Sequence, residues 1–390
     1  MTAFGDYELS ESQLALRQMA TRLAREVYRP LALGWDQSAT PFPHGERERL
    51  SNLGLLGICL PEEFGGSGRP LVDALLVIEE LAKECLPAAF CVFEANTGPA
   101  RVVALFGTDD QKRRWLPPII RGQSTIAVAI SEPDAGSAAT DLRMAGTSVG
   151  DSVILDGVKR WCSGAGHAEQ YLVYARLQSV PGSDGIGAVI VGRDNPGLTF
   201  GPREELMGFR SIPSADMMFD SVKVSAQDVV VQAGGFRKLF SAFSIERLGN
   251  ATMSLAIAQA SLDRSSEYVS TRQQFGRSLV TFQAVQLQIA DMVSRVRAAR
   301  LLIRDAAEEA GREAPSALKA SVAKSFANET AKYVSDLAMQ LHGGYGYAQE
   351  TGLERLHRDA HGWALAGGTP TMQKIRIASE YLGLRFSQRS

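Results

Sequence analysis

The stretch Phe243–Met292, FSIERLGNATMSLAIAQASLDRSSEYVSTRQQFGRSLVTFQAVQLQIADM, determines how the rest of the chain is arranged. Its apolar positions predict a long helix with Glu246 near the start, a break at Arg272–Gly276, and a second helix that opens at Phe282. A carboxylate in an otherwise apolar helix is either a structural charge with a partner or a base kept for chemistry. This stretch by itself leaves both roles open for Glu246.

The composition argues against several classes of protein. The chain has 390 residues, 45% of them apolar, and its net charge of −2 lacks the basic excess expected of a nucleic-acid-binding protein. No run of about 18 uncharged apolar residues occurs, so no membrane span is expected. The N-terminal MTAFGDYELSESQ is acidic and has no apolar core, and the four cysteines lack metal-ligand spacing. These features predict a soluble, cytoplasmic protein without a metal site.

Three regions of different character follow one another along the chain. Helical patterns fill residues 1–123, including a stretch over 88–106. From Thr125 onward, short β-type runs alternate with turn residues and predict an antiparallel sandwich or barrel over 124–232. No GxGxxG follows a strand, so a doubly wound dinucleotide-binding fold is not expected. Residues 233–390 are helical again and predict a four-helix bundle. The predicted fold is α+β and mainly α, with three domains.

Five segments, in order and spread over most of the chain, resemble the acyl-CoA dehydrogenase family of flavoproteins. They are AISEPDAGS (129–137), GVKRWCSG (157–164), LMGFRSIPSADMMFDSVKV (206–224), RQQFGRSLVTFQAVQLQIADM (272–292), and QLHGGYGY (340–347) with ERLHRDAHGWALAGGTPTMQ (354–373). The resemblance implies FAD as the cofactor and the three-domain fold of that family. One position departs from the family pattern, since Ala138 stands where an Asp is usual.

The resemblance assigns a set of residues to the cofactor. Trp161 suits the cover of a flat ring because it offers a large contact area, and Arg272 suits a pyrophosphate through its fork of donors. The alternatives are a core tryptophan, a surface cation and an ordinary hairpin turn at 129–137. The implied FAD-binding residues are Ile130, Ser131, Trp161, Ser163, Arg272, Phe275, Gln283, Gln340, Gly343, Gly344 and Thr369.

The catalytic base of most family members is missing at its usual place. Those members carry a Glu in an E-G-T sequence, and the corresponding residues here are Gly367–Thr369. A subgroup that includes isovaleryl-CoA dehydrogenase and prolyl-carrier-protein dehydrogenases keeps the base on the first long helix of the C-terminal bundle. Glu246, followed by Arg247, matches that position. The resemblance therefore implies Glu246 as the base, with the backbone N–H of Gly367 donating to the thioester carbonyl.

The substrate contacts follow from the same resemblance. Ser137 matches a contact to the thioester, and Phe243 and Arg247 flank the implied base. Glu94 matches a position at the far end of the acyl pocket in some relatives, where a carboxylate would disfavour a long alkyl tail; the alternative is a solvated Glu94. The glycines around Gly367 leave room for a branched or cyclic group.

The resemblance implies FAD-dependent α,β-dehydrogenation of a short, branched or cyclic acyl thioester, carried on CoA or on a carrier protein. It also implies an electron-acceptor flavoprotein as a partner. A homotetramer is expected, because the family arginine that Arg272 matches reaches the cofactor of a neighbouring subunit. Two alternatives stay open: a flavin monooxygenase or oxidase of the same fold, and a non-catalytic flavin-binding or carrier-docking protein.

Overall fold

The computed structural model describes residues 9–311, 313–386 and 388. The chain begins with α1 (Glu11–Arg22), which continues through a π-helical segment (Leu23–Tyr28) into α2 (Arg29–Gln37). A capping box between Ser10 and Gln13 fixes the start of α1. The other helices of this part are α3 (His44–Asn52), α4 (Leu71–Glu84), α5 (Leu86–Asn96), α6 (Pro99–Phe106) and α7 (Asp109–Ile120).

The stretch 88–106 is divided between α5 and α6. The helical path breaks at Thr97 and Gly98, and α6 opens with Pro99, which has no N–H to donate and is favoured at a first helical position. An added Cβ at Gly98 would lie 3.0 Å from the carbonyl oxygen of Glu94. A side chain at this position would crowd the backbone of Glu94. The break leaves Glu94 in the last turn of α5.

The middle of the chain forms an eight-stranded sheet with the order β6-β7-β3-β2-β4-β5-β8, in which β1 lies beside β4. Its strands are β1 (Ile126–Ala129), β2 (Ala145–Val149), β3 (Ser152–Ser163), β4 (Gln170–Arg176), β5 (Ile186–Gly192), β6 (Leu198–Phe200), β7 (Ser214–Ser225) and β8 (Val229–Val231). Most neighbours are antiparallel. However, β1 runs parallel to β4, and β2 meets β4 in parallel at Ala145 and Arg176, so the sheet is mixed.

The two faces of this sheet serve different cores. Alternate residues of β4 separate to opposite sides, as the two-residue period of a strand requires. Leu172 and Tyr174 belong to the large apolar core shared with the helices, whereas Tyr171 and Val173 belong to a second cluster built from the sheet itself. The helix-facing side of the sheet therefore brings β4 next to the C-terminal helices.

The C-terminal part is helical. Its elements are α8 (Phe236–Thr271), the short hairpin β9 (Gln273–Gln274) and β10 (Arg277–Ser278), α9 (Gln283–Ala310), α10 (Ala317–His342), α11 (Gly344–Tyr347), α12 (Leu353–Leu365) and α13 (Pro370–Leu382). Helix α10 packs against α8, α9, α12 and α13. The predicted fold class is confirmed, while the boundaries 1–123, 124–232 and 233–390 stay a prediction.

The loop between β6 and β7 anchors the sheet to α12. The backbone N–H of Phe209 donates to Asp359 Oδ1 at 2.8 Å, and the Phe209 ring lies 4.9 Å from that of Trp363. An added Cβ at Gly362 would lie 2.7 Å from the Phe209 ring. This contact fixes the end of α12 against the middle of the chain.

Two classes of site find no support in the described residues. No helix among them is long and apolar enough to cross a membrane. No group of three or more His, Cys, Asp or Glu side chains in the described ranges could hold a metal ion. Of the four cysteines, Cys59, Cys85 and Cys162 are buried free thiols, and burial raises the pKa of each to about 12.

Candidate active site

Glu246 lies near the N-terminal end of α8, deep in the protein. It is half-buried rather than fully buried, and the space beside its carboxylate is called the cleft of Glu246 below. Burial raises its pKa from 4.5 to about 7, against the opposing effects of Arg247 and then Lys324. Among the residues that the structure describes, none hydrogen-bonds or ion-pairs with this carboxylate. An unpaired carboxylate that titrates near neutrality is suited to general-base chemistry.

A second carboxylate, Glu94 on α5, is also half-buried and interacts electrostatically with Glu246. Helix α5 crosses α8 at Gly249, where an added Cβ would lie 2.5 Å from Thr97 Oγ1 and 2.6 Å from the Phe93 ring. This close crossing brings Glu94 towards Glu246, and burial followed by the charge of Glu246 raises the pKa of Glu94 well above its ordinary value. Glu94 is therefore not a solvated surface residue, and its environment favours the protonated form.

Arg247 is a buried cation beside the cleft. Its residue is 4% exposed, and its guanidinium lies 5.2 Å from the centre of the Phe243 ring and 5.6 Å from that of Phe240. Its Nε and Nη1 find no hydrogen-bond partner among the described residues. Burial, then the charge of Arg376, lowers its pKa to about 10. The Phe240 and Phe243 rings and the Arg247 guanidinium therefore pack together on the same stretch of α8 as Glu246. This group of residues is called the wall of the cleft below.

The loop after α12 approaches the same wall. Gly367 and Gly368 have φ of 66° and 89°, values that side chains other than glycine rarely adopt. An added Cβ at Gly367 would lie 3.5 Å from Lys324 Cε and 3.9 Å from the Phe243 ring. The N–H of Gly367 makes no hydrogen bond within the described part of the chain. It therefore remains available as a donor to a ligand in the cleft.

Lys324, which the sequence analysis missed, supports this loop from α10. The lysine is fully buried, and its Nζ donates to the carbonyl oxygen of Gly368 and to Asn328 Oδ1, both at 2.9 Å. Asn328 Nδ2 donates in turn to Asn250 Oδ1 at 3.0 Å, and Asn250 Nδ2 donates to the carbonyl oxygen of Ala366 at 3.2 Å. A buried polar network thus joins α8, α10 and the loop.

The predicted flavin contacts form a second group, where the segment after β1 meets the end of β3. The buried Lys159 ammonium donates to the carbonyl oxygen of Ile130 and to Glu132 Oε1, both at 2.8 Å. The N–H of Arg160 donates to the carbonyl oxygen of Ser131 at 2.9 Å, which ties the two segments together. Trp161 is 53% exposed with φ of 60°, so it is not a core residue. The Arg160 guanidinium lies 4.2 Å from the centre of the Trp161 ring, so a flat ligand would be covered by the opposite face.

The two other predicted residues of this region, Ser163 and Ser137, differ in how far they are buried. Ser163 is the last residue of β3 and is half-buried, paired in register with Ser214. Ser137 is exposed and is the last residue of the segment at 129–137. No contact in the described part of the chain joins Ser137 to Glu246, and its role as a thioester contact stays a prediction.

A third group surrounds a cleft of about 620 Å³ between the end of α8 and the loop after α10. The predicted residues that line it are Arg272, Gln340, Gly343 and Gly344. Arg272 is exposed, and its guanidinium lies 5.9 Å from the Tyr345 ring. An added Cβ at Gly343 or Gly344 would meet no atom within 4 Å. An exposed guanidinium beside an open glycine floor fits the phosphate end of FAD.

The remaining predicted cofactor residues lie apart from this cleft. Phe275 is 92% exposed, with φ of 52°, and Gln283 is exposed at the start of α9. Thr369 caps α13, since its Oγ1 accepts from the N–H of Met372 at 3.4 Å. The predicted residues thus form three groups. The first is Glu246 with its wall, the second lies around Trp161 at the end of β3, and the third surrounds the cleft at Arg272.

Comparisons with known proteins agree across the whole chain. Models of the acyl-CoA dehydrogenase N-terminal, middle and C-terminal domains match residues 10–123, 127–222 and 233–382. The chain is 37% identical to 3-sulfinopropanoyl-CoA desulfinase of Variovorax paradoxus, over 98% of this chain and 97% of that protein. It is 34% identical to 3-(aryl)acrylate reductase of Clostridium sporogenes, over 96% and 99%.

A solved structure shows the same fold. Butyryl-CoA dehydrogenase of Megasphaera elsdenii matches with a TM-score of 0.92 and 31% identity, over 97% of this chain and 100% of that chain. The family models, the relatives and this structure confirm the resemblance that the sequence motifs carried. The chain belongs to the acyl-CoA dehydrogenase family of FAD-binding oxidoreductases, which act on CH–CH groups.

Proposed function

We propose that the protein dehydrogenates an acyl thioester between its α- and β-carbons and that Glu246 is the base. The observation that carries this proposal is the placement of Glu246: buried, unpaired among the described residues, and raised in pKa to about 7. A base is most effective when its pKa lies near the working pH. The glycine at 367 leaves no carboxylate at the place that most of the family uses.

The residues of this chain divide the work in the following way. The carboxylate of Glu246 takes the α-proton, and the N–H of Gly367 donates to the thioester carbonyl, whose oxygen gains negative charge as the proton leaves. Bound FAD would supply the acceptor for the hydride of the β-carbon, and the product would be a 2-enoyl thioester. Ile130, Ser131 and Trp161 would hold the ring end of FAD, with Arg272 at its phosphate end.

The substrate class follows from the shape and charge of the cleft. The φ of 66° at Gly367 favours the absence of a side chain there, which leaves space next to Phe243 for a branched or cyclic acyl group. Glu94 places a polar group at the far side, so a short acyl group is favoured over a long alkyl tail. CoA and a carrier protein share the arm that would enter the cleft, and we include both as carriers.

A homotetramer, in which one subunit completes the cofactor site of another, is part of the same proposal. Phe275 and Gln283 are exposed in the single chain, as a role in a neighbour's site requires. Large apolar side chains are also exposed along α9, at the end of α13 and just beyond it, which supports association with further copies. They include Leu287, Leu301, Tyr381, Leu382, Leu384 and Phe386. An electron-acceptor flavoprotein and a cytoplasmic location complete the proposal.

The test is anaerobic mixing of the FAD-loaded protein with a panel of saturated acyl thioesters while flavin absorbance is followed. The panel contains butyryl, isobutyryl, isovaleryl and cyclic acyl groups on CoA and on a carrier protein. Glu246→Gln should keep FAD but slow flavin reduction by about 10²–10⁴-fold or more, because the base is lost. Glu267→Gln, an exposed Glu on the same helix, should reduce at the wild-type rate.

Two outcomes would favour other reactions. Near-normal flavin reduction by Glu246→Gln would exclude this base and favour a monooxygenase or oxidase. Absence of reduction by every saturated thioester, with turnover of 3-sulfinopropanoyl-CoA instead, would favour the reaction named for the Variovorax relative.

A further inference from the structure

Lys324 is the most deeply buried cation near the proposed site, and the chemistry described so far does not use it. It is fully buried on α10, together with Asn328, in a helix whose neighbouring buried positions are alanine and serine. A buried ammonium is costly unless each of its donors is used. The partners of Lys324 therefore indicate what it is held for.

One of those partners lies in the loop that carries Gly367. Lys324 Nζ donates to the carbonyl oxygen of Gly368 at 2.9 Å, and Gln373 Nε2 donates to the same oxygen at 3.0 Å. Asn250 Nδ2 donates to the carbonyl oxygens of Trp363 and Ala366 at 3.1 and 3.2 Å. Side chains thus hold the loop by its carbonyl groups, while the N–H of Gly367 makes no hydrogen bond within the described part of the chain.

The network also reaches the helix that carries the base. Asn328 Nδ2 donates to Asn250 Oδ1 at 3.0 Å and to Ser254 Oγ at 2.7 Å, and both acceptors lie on α8. Asn250 stands one helical turn after Glu246, so the two lie on neighbouring surfaces of α8. The loop and the base are consequently held in one rigid frame with Lys324 at its centre.

We propose that Lys324 is a positioning residue for the dehydrogenation, which fixes the N–H of Gly367 relative to Glu246 and supplies a positive charge close to that carboxylate. This inference rests on the proposed function, because it needs Glu246 as the base and Gly367 as the carbonyl donor. Burial lowers the pKa of Lys324 itself to about 7. Below that pH its ammonium is charged and favours the carboxylate form of Glu246, which accepts the proton.

The charge effect is set by all the groups that face Glu246. These are Glu94 from α5, Tyr174 from β4, Arg247 from α8 and Lys324 from α10. Arg247 and Lys324 lower the pKa of Glu246, whereas burial raises it. Removal of the Lys324 charge should therefore raise the pKa of Glu246 further and leave less carboxylate at neutral pH.

Two substitutions separate position from charge. Lys324→Met removes both the donor and the charge, whereas Lys324→Gln removes the charge but keeps an N–H that could reach the loop. Lys332→Gln, on the same helix and partly exposed, is the matched control. Each variant is studied as the FAD-loaded protein, and its FAD content and melting temperature are compared with those of the wild type.

The first measurement is the rate of anaerobic flavin reduction as a function of pH. In Lys324→Gln the acidic limb of the profile should move to higher pH by about one unit or more, because a nearby opposite charge has been lost. In Lys324→Met the plateau at high pH should also fall about 10²-fold, since the carbonyl donor is no longer held in place. Lys332→Gln should match the wild type in both respects.

The second measurement does not depend on turnover. The C=O stretch of a bound isotope-labelled thioester, recorded by infrared difference spectroscopy, reports how strongly the N–H of Gly367 polarises the carbonyl. It should move towards the free-ligand frequency in Lys324→Met and remain shifted in Lys332→Gln. A merely structural lysine would lower stability or FAD content without moving the pH profile or this band.

The inference is overturned if both Lys324 variants bind FAD and retain the wild-type pH profile and carbonyl frequency. If Lys324→Met does not fold, Lys324→Gln decides the question through the pH profile alone. The proposed function would fail separately, because Glu246→Gln would then reduce its flavin at a near-normal rate.

Discussion

Gly249→Ala tests how closely α5 and α8 cross beside Glu94 and Glu246. The new Cβ would lie 2.5 Å from Thr97 Oγ1 and 2.6 Å from the Phe93 ring, about 1 Å inside ordinary carbon contact distances. The Phe93 ring cannot easily retreat, since it is buried against Trp363 at 5.5 Å between ring centres. Overpacking of this kind costs about 1–3 kcal/mol, and we expect the upper end.

The helix propensity of alanine offsets about 1 kcal/mol of this cost, so Gly249→Ala should lower the free energy of unfolding by about 2 kcal/mol. Gly34→Ala is the matched control, because an added Cβ on α2 meets no atom within 4 Å. It should raise stability by about 0.5–1 kcal/mol. Urea unfolding of both FAD-loaded variants, followed by tryptophan fluorescence, measures the difference. If Gly249→Ala proves as stable as Gly34→Ala, the described crossing is wrong.

Three further predictions concern the cofactor and the base. Arg272→Ala should weaken FAD retention and subunit assembly together, as measured by flavin absorbance and light scattering; a monomer that holds FAD tightly would contradict the shared site. Trp161→Gly should weaken FAD binding about 10-fold by loss of ring contact, yet leave the apoprotein at least as stable because φ of 60° suits glycine. Glu246→Gln should become more stable than the wild type as pH rises from 4.5 through 7. The folded pKa of Glu246 is raised to about 7, so its ionisation destabilises the wild type in that window, by up to about 3 kcal/mol. Urea titrations give the difference in free energy of unfolding between the variant and the wild type, and the same difference at pH 5 and at pH 8 would refute this.

The fold class could be predicted from the sequence, because the hydrophobic periodicity changes abruptly at both ends of the β region. The helical pattern of α8 and the break at Arg272 follow from local spacing and are confirmed by the structure. The parallel pairing of β1 with β4 was not predicted, since strand pairing between distant segments leaves no local trace. The interruption at Gly98 was also missed, although the Gly-Pro pair was its signal.

The candidate site was predictable where one residue stood in a distinctive context. Glu246 was identified by the Arg that follows it and by the missing carboxylate at Gly367. Lys324 was missed because a lysine on a long helix is normally solvated, and only packing shows that it is buried. The spacing of Lys324 and Asn328 by four residues among small side chains was the available signal, since it places two polar groups on one packed face.

The buried pair of Lys159 and Glu132 has a consequence for how the protein responds to ionic strength. Its two side chains are 0% and 8% exposed, so mobile ions cannot screen the attraction that holds the Ile130 carbonyl. Arg272, in contrast, lies at the surface, where salt weakens its attraction for phosphate. Concentrated salt should therefore loosen FAD from its phosphate end while the ring end keeps its shape. An apoprotein prepared in this way would retain a preformed binding site for the flavin ring and should recover its cofactor without refolding.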